Sequence, residues 1–193
     1  MWRLTGQPAA FLGLAIVEIA RTAGVRALPG HSLHRSDFVL RVGLHCTDKI
    51  RNQVKPAFER DHIRLQVDCE SEGLVYWDPE RIQQVLLNIL DNARKHSEAE
   101  SQVAMSCREE NGKVVIRIRD EGEGIPAEEL PYVFERLYRV EKSRSRDSGG
   151  SGLGLAIAKE IVELHGGVIE IESKLGSGTV AAIRLERGDG SAE

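Results

Sequence analysis

Hydrophobic and polar positions alternate along most of the chain with either a strand period or a helix period. Alternation at every second position, or a short apolar run between turn residues, predicts β-strands. The predicted strands cover residues 37–41, 63–67, 74–77, 102–108, 113–119, 168–173 and 179–185. Apolar residues at helical spacing predict helices over residues 42–60, 79–96 and 152–165. Together these elements predict an α+β fold, with an antiparallel or mixed sheet of about five strands and helices on one face.

Capping and turn residues mark the ends of several elements. Asp78 can accept hydrogen bonds from free N–H groups at a helix start, and Pro79 suits the first helical position. The dipeptide Asn111-Gly112 lies between two alternating segments, which predicts a β-hairpin.

Residues 125–150 form the least regular part of the pattern. Short helices are predicted near 127–130 and 132–138, and the rest is polar and rich in Ser, Arg and Gly. A long irregular segment in a domain is usually functional or disordered.

The first 36 residues differ from the rest of the chain. Residues 11–24 predict one helix that is apolar on most sides, and residues 26–36 are predicted to form a linker. The apolar run 9–20 is shorter than the roughly 20 residues of a membrane span and is interrupted by Glu18, so we expect no span. The polar end of the chain, 188–193, is expected to fray.

Composition narrows the class of protein. The 193 residues suffice for one domain with a short appendage, and 41% hydrophobic and 29% charged residues are typical of a soluble globular protein. A net charge of −4 argues against nucleic-acid binding. The three cysteines form no C-x-x-C pair and suit a reducing compartment, so we expect a cytoplasmic location.

The predicted helix 79–96 carries polar groups along one face. Asn88, Asn92 and Lys95 are spaced at i, i+4 and i+7, which places them on the same side of an otherwise apolar helix. Such groups need partners when they are buried. Mg²⁺ with a phosphate chain would supply them, because Mg²⁺ takes oxygen ligands and usually shares them with phosphates.

Two glycine clusters add possible contacts to a nucleotide. Asp120 begins the first cluster, 120–124, where its carboxylate can accept a hydrogen bond from an exocyclic amine or simply form the turn. The second cluster, 149–155, precedes a helix, so its amides can bind phosphate or form a flexible loop at a tight helix start. It is not a P-loop, because no G-K-[ST] follows.

Taken in order, these motifs carry a family resemblance. The segment 88–95, the cluster 120–124, the segment Phe134-Glu135-Arg136-Leu137-Tyr138-Arg139 and the cluster 150–155 resemble the N, G1, F and G2 boxes of sensor histidine kinases. That family belongs to the ATPase superfamily shared with gyrase, Hsp90 and MutL. The resemblance covers about residues 37–185 and implies a two-layer α/β sandwich of the Bergerat ATP-binding type with a mobile ATP lid over residues 125–150.

The resemblance implies roles for the matched positions. Asn92 would coordinate Mg²⁺ with Asn88 beside it, Lys95 would contact the phosphates, and Arg139 would reach the γ-phosphate. Asp120 would bind the adenine amino group with help from Thr179. The other residues implied to line the nucleotide are His96, where the family often has Tyr, and Gly122, Gly124, Ile125, Phe134, Tyr138, Gly150, Gly152, Leu153, Gly154 and Leu155.

The residue at position 88 bears on the reaction. Hydrolytic members of the superfamily carry a Glu four residues before the metal-binding Asn, and this chain has Asn88 there. An amide cannot take a proton from water, so fast hydrolysis is disfavoured. A histidine acceptor needs no such base, because neutral imidazole already has a nucleophilic nitrogen.

Two departures from the family pattern affect the interpretation. Leu137 replaces a common Phe, which is a mild packing change. None of the six histidines (His31, His34, His45, His62, His96 and His165) has the sequence context of the family's phosphoacceptor. We therefore expect residues 1–36 to be the remnant of a dimerisation helix with a linker, and 37–187 to be the ATP-binding domain. The expected partner is a dimerisation domain phosphorylated in trans, with a response regulator acting after it.

Two other functions remain open from the sequence. A binding module could keep the nucleotide pocket without catalytic output. A serine kinase of the anti-sigma-factor type would use the same fold, but the F-box segment and the helix remnant argue against it.

Overall fold

Seven strands, three α-helices and one turn of 3₁₀ helix are present in the described residues of the computed structural model, which are 39–41, 44–70, 74–138 and 151–187. The strands are β1 (Val39–Arg41), β2 (Arg64–Cys69), β3 (Leu74–Tyr76), β4 (Gln102–Glu110), β5 (Lys113–Asp120), β6 (Val168–Ser173) and β7 (Thr179–Glu186). The α-helices are α1 (Leu44–Arg60), α2 (Pro79–Lys95) and α3 (Gly154–Leu164), and the 3₁₀ helix is η1 (Leu130–Tyr132).

Five of the strands form one mixed sheet in the order β2-β4-β5-β7-β6. Strands β2 and β4 pair in parallel, whereas the other neighbours in this sheet are antiparallel. Strands β1 and β3 form a separate antiparallel pair. The mixed five-stranded sheet predicted from the sequence is confirmed, and so is the hairpin at Asn111-Gly112, where both residues have positive φ.

Helix α2 begins as its sequence predicts. The Asp78 side chain accepts hydrogen bonds from the backbone N–H groups of Glu80, at 2.8 Å, and Arg81, at 3.3 Å. One face of the helix is buried, through Ile82, Val85, Leu86, Ile89, Leu90 and Ala93. Asn88, Asn92 and Lys95 lie outside this buried stripe and are half-buried.

The hydrophobic core lies between the helices and one face of the sheet. Val114, Ile116 and Ile118 of β5 point into this core because alternate residues of a strand share a face. Asp120 follows on the same face at the end of the strand, and its side chain is therefore buried, with 6% of the residue exposed. The strand period thus places a carboxylate at the edge of the helix–sheet interface.

The two short helices predicted within 127–138 are wrong. Only η1 is helical there, and the backbone bonds of this segment connect residues three apart, as in Tyr132 N–H to Glu129 O and Glu135 N–H to Tyr132 O. Pro131 has no N–H to donate, which prevents a regular α-helical turn across this point.

Several predictions lie outside the described residues. They are the apolar helix 11–24, the linker 26–36, residues 139–150 of the predicted lid and the end of the chain at 188–193. Across the parts of the chain that the structure describes, the helices are all too short or too polar for a membrane span.

Candidate functional site

A cavity of about 280 Å³ opens beside α2, at the end of β5 and the start of α3. It brings together most of the site residues predicted from the sequence. These are Asn88, Asn92, Lys95, His96, Asp120, Gly124, Ile125, Tyr138, Gly152, Gly154, Leu155 and Thr179. The structure places Gly122, Phe134 and Leu153 outside the lining, and Arg139 and Gly150 lie outside the described residues.

The cavity is long enough to separate two chemical environments. Asn88 on α2 and His96 at its C-cap are eight residues apart, which corresponds to about 12 Å along a helix axis. Its apolar walls come from both layers of the fold and include Ile89, Ala93, Ile118, Ile171 and Ala181. These residues were not predicted to be part of the site, because they are ordinary apolar residues on the buried faces of a helix and of strands.

Asp120 is held in place through one oxygen of its carboxylate. Its Oδ1 accepts hydrogen bonds from the backbone N–H of Gly122, at 2.9 Å, and of Thr179, at 3.1 Å. Within the described residues no group donates to Oδ2, so this oxygen is available to a ligand. Burial raises the pKa of Asp120, although the two backbone hydrogen bonds and the nearby His96 oppose the shift.

The turn after β5 approaches the end of α2 closely because it contains glycine. A Cβ on Gly122 would lie 2.0 Å from the carbonyl oxygen of His96, so no larger residue fits there without a shift. Gly122 therefore permits this backbone contact and does not itself line the cavity. Gly124 has a φ of +69°, and its Cβ would lie 2.1 Å from the carbonyl oxygen of Lys174.

His96 and Glu123 also connect the turn to the helix end. His96 Nδ1 lies 3.0 Å from Glu123 Oε1, and the Glu123 N–H donates to the His96 carbonyl at 3.3 Å. Both side chains line the cavity. Glu123 was not a predicted site residue, and its position between two glycines gave no signal beyond a turn.

The two asparagines of α2 face the start of α3. Asn88 Nδ2 donates to the carbonyl oxygen of Gly154 at 3.2 Å, so this amide connects the two helices. A Cβ on Gly154 would lie 3.9 Å from Asn92 Nδ2, which shows how near the second amide is. The Asn92 side chain has no hydrogen-bond partner among the described residues, and it lines the cavity.

Lys95 lies in the cavity as part of an ion-pair network. Its Nζ is 2.6 Å from Asp91 Oδ2, and Arg94 Nη2 is 2.8 Å from Asp91 Oδ1. Arg94 also pairs with Asp61, which follows α1. Asp91 was not a predicted site residue, although its i, i+4 spacing to Lys95 is a known pattern for ion pairs on a helix.

This network lowers two carboxyl pKa values. Burial disfavours the charged forms of Asp61 and Asp91, but hydrogen bonds from the neighbouring cations outweigh it. The pKa of each carboxyl therefore lies below its ordinary value. Since folding lowers these pKa values, the stabilisation is complete above the unfolded value of about 3.9 and is lost as pH falls through the folded values.

Asp61→Asn tests this network away from the cavity. At pH 7 we expect the free energy of unfolding to fall by up to about 1 kcal/mol, because a partly exposed ion pair with Arg94 is lost. The deficit should shrink as pH falls below about 4, where the parent carboxylate also becomes protonated. Urea denaturation across this pH range measures it, with Glu98→Gln as an exposed control. A deficit that is constant with pH would rule out an electrostatic origin.

The segment around η1 packs on α3 and also contributes Val133 and Tyr138 to the cavity lining. Phe134 lies against the core, with Lys159 Nζ 5.2 Å from its ring centroid, and Arg136 pairs with Glu160 at 2.7 Å. The Tyr138 hydroxyl donates to the Glu129 carboxylate, and this hydrogen bond, with a smaller contribution from desolvation, raises the pKa of Tyr138 to about 12.

A backbone hydrogen bond joins the two sides of the predicted lid next to residues 138 and 151, where the described residues stop and resume. The Leu137 N–H donates to the carbonyl oxygen of Gly152 at 3.0 Å. Leu137 has a φ of +65° and is 71% exposed. A positive φ is uncommon for a non-glycine residue, and here it accompanies the contact with Gly152.

Comparison with known proteins places these features in a family. A sequence model described as "Histidine kinase-, DNA gyrase B-, and HSP90-like ATPase" matches residues 77–189, which include α2, both glycine clusters and β7. Sensor histidine kinase YkoH of Bacillus subtilis is 41% identical over 165 residues, covering 82% of this chain and 36% of YkoH. Histidine kinase ArlS of Staphylococcus aureus is 38% identical over 143 residues, covering 72% of this chain and 32% of ArlS.

The structural comparison agrees with the sequence comparison. The mycobacterial sensor histidine kinase MprB superimposes with a TM-score of 0.62 and 31% identity, covering 73% of this chain and 93% of the compared one. The present chain spans about a third of the length of the curated relatives YkoH and ArlS. On its sequence, its fold and its cavity, the chain belongs to the family of histidine kinase-, DNA gyrase B- and HSP90-like ATPases.

Proposed function

We propose that this chain binds Mg²⁺ and ATP in the cavity beside α2 and transfers the γ-phosphate to a histidine of a separate dimerisation domain. The observation that carries this proposal is the set of polar groups that line this cavity. A hydrogen-bond acceptor, Asp120 Oδ2, lies at the end of β5, and two side-chain amides and a lysine lie along the facing side of α2. Adenine needs the first and a metal-bound phosphate chain needs the second.

The apolar walls support a base between the two layers. Ile89 and Ala93 of α2 face Ile118, Ile171 and Ala181 of the sheet across the cavity. Ligand pockets are mostly apolar with a few polar groups that set orientation. In this arrangement Asp120 and Thr179 orient the adenine, and His96 lies near the base or the ribose.

The residues around Asn92 suit Mg²⁺ by their chemistry. Asn92 lines the cavity without a partner in the described residues, and Asn88 uses its amide nitrogen on Gly154, so its oxygen remains an acceptor. Two neutral amide oxygens suit Mg²⁺, which takes water and phosphate oxygens as its other ligands. Bound there, Mg²⁺ would neutralise charge on the phosphates.

The protein's own cations and amides act on the phosphate chain. Lys95 can turn from Asp91 towards a phosphate, because its ammonium has three donors and lies in the cavity. The start of α3 at Gly154 presents backbone N–H groups where anions bind. We extend to Arg139 and Gly150 the phosphate contacts that the resemblance implies.

The positions of the carboxylates in the cavity favour phosphoryl transfer over hydrolysis of ATP. Three line the described part of the cavity: Asp91 pairs with Lys95 and Arg94, Glu123 pairs with His96, and Asp120 is bound through Oδ1 and offers Oδ2 to the base. None occupies the place of Asn88, whose amide cannot accept a proton from water. Phosphoryl transfer to an imidazole mainly requires positioning and charge stabilisation.

The proposed reaction is tested by mixing the chain with the dimerisation domain of a relative such as YkoH and γ-labelled ATP. We expect label on the acceptor domain and none on the chain alone. An acceptor domain whose phosphoacceptor histidine has been replaced is the matched control. Bound ATP without label on the intact acceptor would favour a binding module without catalytic output. No ATP binding at all would reject the proposal.

A further inference from the structure

Ser173, the last residue of β6, joins three parts of the chain around the base end of the cavity without lining the cavity itself. Its Oγ accepts from the backbone N–H of Ile125 at 2.8 Å and donates to the carbonyl oxygen of Gly178 at 2.8 Å. The same Oγ lies 2.9 Å from Thr179 Oγ1. No motif in the sequence analysis singled out this serine.

The direction of the Ser173–Thr179 hydrogen bond follows from the other two. A carbonyl oxygen only accepts and a backbone N–H only donates, while a serine hydroxyl has one hydrogen and two lone pairs. The single hydrogen of Ser173 is therefore directed at Gly178, and one lone pair receives the Ile125 N–H. The hydrogen between the two hydroxyls must come from Thr179.

This direction determines what Thr179 offers to the cavity. With its hydrogen directed at Ser173, Thr179 Oγ1 can only accept. Asp120 is fixed in the same way, because the Thr179 and Gly122 N–H groups both bind Oδ1 and leave Oδ2 as an acceptor. The base end of the cavity thus presents two acceptors and no hydroxyl donor from these two side chains.

We propose that Ser173 is a positioning residue for purine selectivity, which orients the Thr179 hydroxyl so that the site accepts a 6-amino purine and rejects a 6-oxo purine. An exocyclic amine has two N–H groups and matches two acceptors, whereas a 6-oxo group places a lone pair against them. A site built for a hydrogen bond rejects an analogue that leaves its groups unpaired. This inference rests on the proposed nucleotide function.

The test compares binding of Mg·ATP and Mg·ITP to the parent protein and to Ser173→Ala by titration calorimetry. Without Ser173 Oγ, the Thr179 hydroxyl is free to turn and donate to a 6-oxo group. We expect the ATP-to-ITP affinity ratio to fall by about threefold to tenfold, the range of one net hydrogen bond. Ser173→Thr keeps a hydroxyl and should retain the parent ratio. A purely structural role would weaken both nucleotides equally and leave the ratio unchanged.

A second variant makes the test independent of whether Ser173→Ala folds. If Thr179 only accepts, Thr179→Val should weaken ATP binding and leave ITP binding unchanged or tighter, because the lone pair that it removes attracts a 6-amino group and repels a 6-oxo group. Equal weakening of both nucleotides would overturn the inference. In the Thr179→Val background, Ser173→Ala should no longer alter the ratio, since no hydroxyl remains to orient.

The failure of this inference differs from failure of the proposed function. A parent protein that binds neither nucleotide rejects the function and the inference together. A parent that binds ATP while its ratio is insensitive to Ser173→Ala and to Thr179→Val keeps the function and rejects the role of Ser173.

Discussion

Asp120→Asn is expected to reduce Mg·ATP affinity by more than about 100-fold while leaving the fold intact, because it reverses one hydrogen-bonding group in a buried site. Asparagine retains an oxygen that can accept from Gly122 and Thr179, as Oδ1 does now at 2.9 and 3.1 Å. Its amide nitrogen then replaces Oδ2 and places a donor against the adenine amine. Titration calorimetry with Mg·ATP measures the loss.

The stability of Asp120→Asn separates binding from folding. Burial raises the pKa of Asp120, so the folded state penalises the charged carboxylate at neutral pH and the penalty falls as pH falls. The neutral amide avoids this penalty, so the free energy of unfolding at pH 7 should be unchanged or higher than in the parent. Any advantage of the variant should shrink on acidification.

Glu121→Gln is the matched control for this variant. Glu121 is the next residue, its Oε2 accepts from the Gln102 N–H at 3.1 Å, and its side chain does not line the cavity. Its ATP affinity should equal that of the parent. If the Asp120→Asn protein binds ATP as tightly as the Glu121→Gln protein does, Asp120 does not contact the adenine.

The elements of the fold were predictable because each has a local signal. The alternation of Val114, Ile116 and Ile118 predicts both the strand β5 and the face that it buries. Asn111-Gly112 predicts the β4–β5 hairpin, and Asp78 predicts the start of α2. The failed helices in 127–138 lacked such a signal: they were short, and Pro131 between them interrupts the α-helical hydrogen bonds.

The candidate site was only partly predictable because much of it depends on pairing between distant strands. Helical spacing suffices to place Asn88, Asn92 and Lys95 on one side of α2. By contrast, the bond from the Thr179 N–H to Asp120 joins residues 59 apart and requires the β5–β7 register. From residues alone, nothing indicated that Thr179 would lie there, and the expectation came from the family resemblance.

The side-chain networks were the least predictable part. The pair between Arg94 and Asp61 connects α2 to the residue after α1, and the contact of Ser173 with Ile125 connects residues 48 apart. Neither pair has a periodic sequence signal. Their identification requires the packing of the two layers, because the same residue types elsewhere on the chain are ordinary surface groups.

Asn92→Ala is expected to abolish the Mg²⁺ dependence of nucleotide binding and to prevent phosphoryl transfer with little effect on stability. Loss of a residue that only supports a metal ligand lowers metal affinity or activity roughly 10- to 100-fold, so loss of the ligand itself should lower it more. Asn92 lies outside the buried stripe of α2 and has no hydrogen-bond partner in the described residues, and alanine favours a helix more than asparagine does. A fluorescent ATP analogue titrated with and without Mg²⁺ measures the effect.

Two further variants on α2 make this result specific to the metal site. Gln83→Ala, on the same helix but outside the cavity, should leave the Mg²⁺ dependence unchanged. Asn88→Ala should weaken binding and also lower stability by about 1 kcal/mol, because Asn88 donates to Gly154 and connects α2 to α3. If Asn92→Ala lowers the free energy of unfolding as much as Asn88→Ala does, Asn92 has a structural role. If Mg²⁺ still strengthens nucleotide binding to a folded Asn92→Ala protein, the ion is held elsewhere.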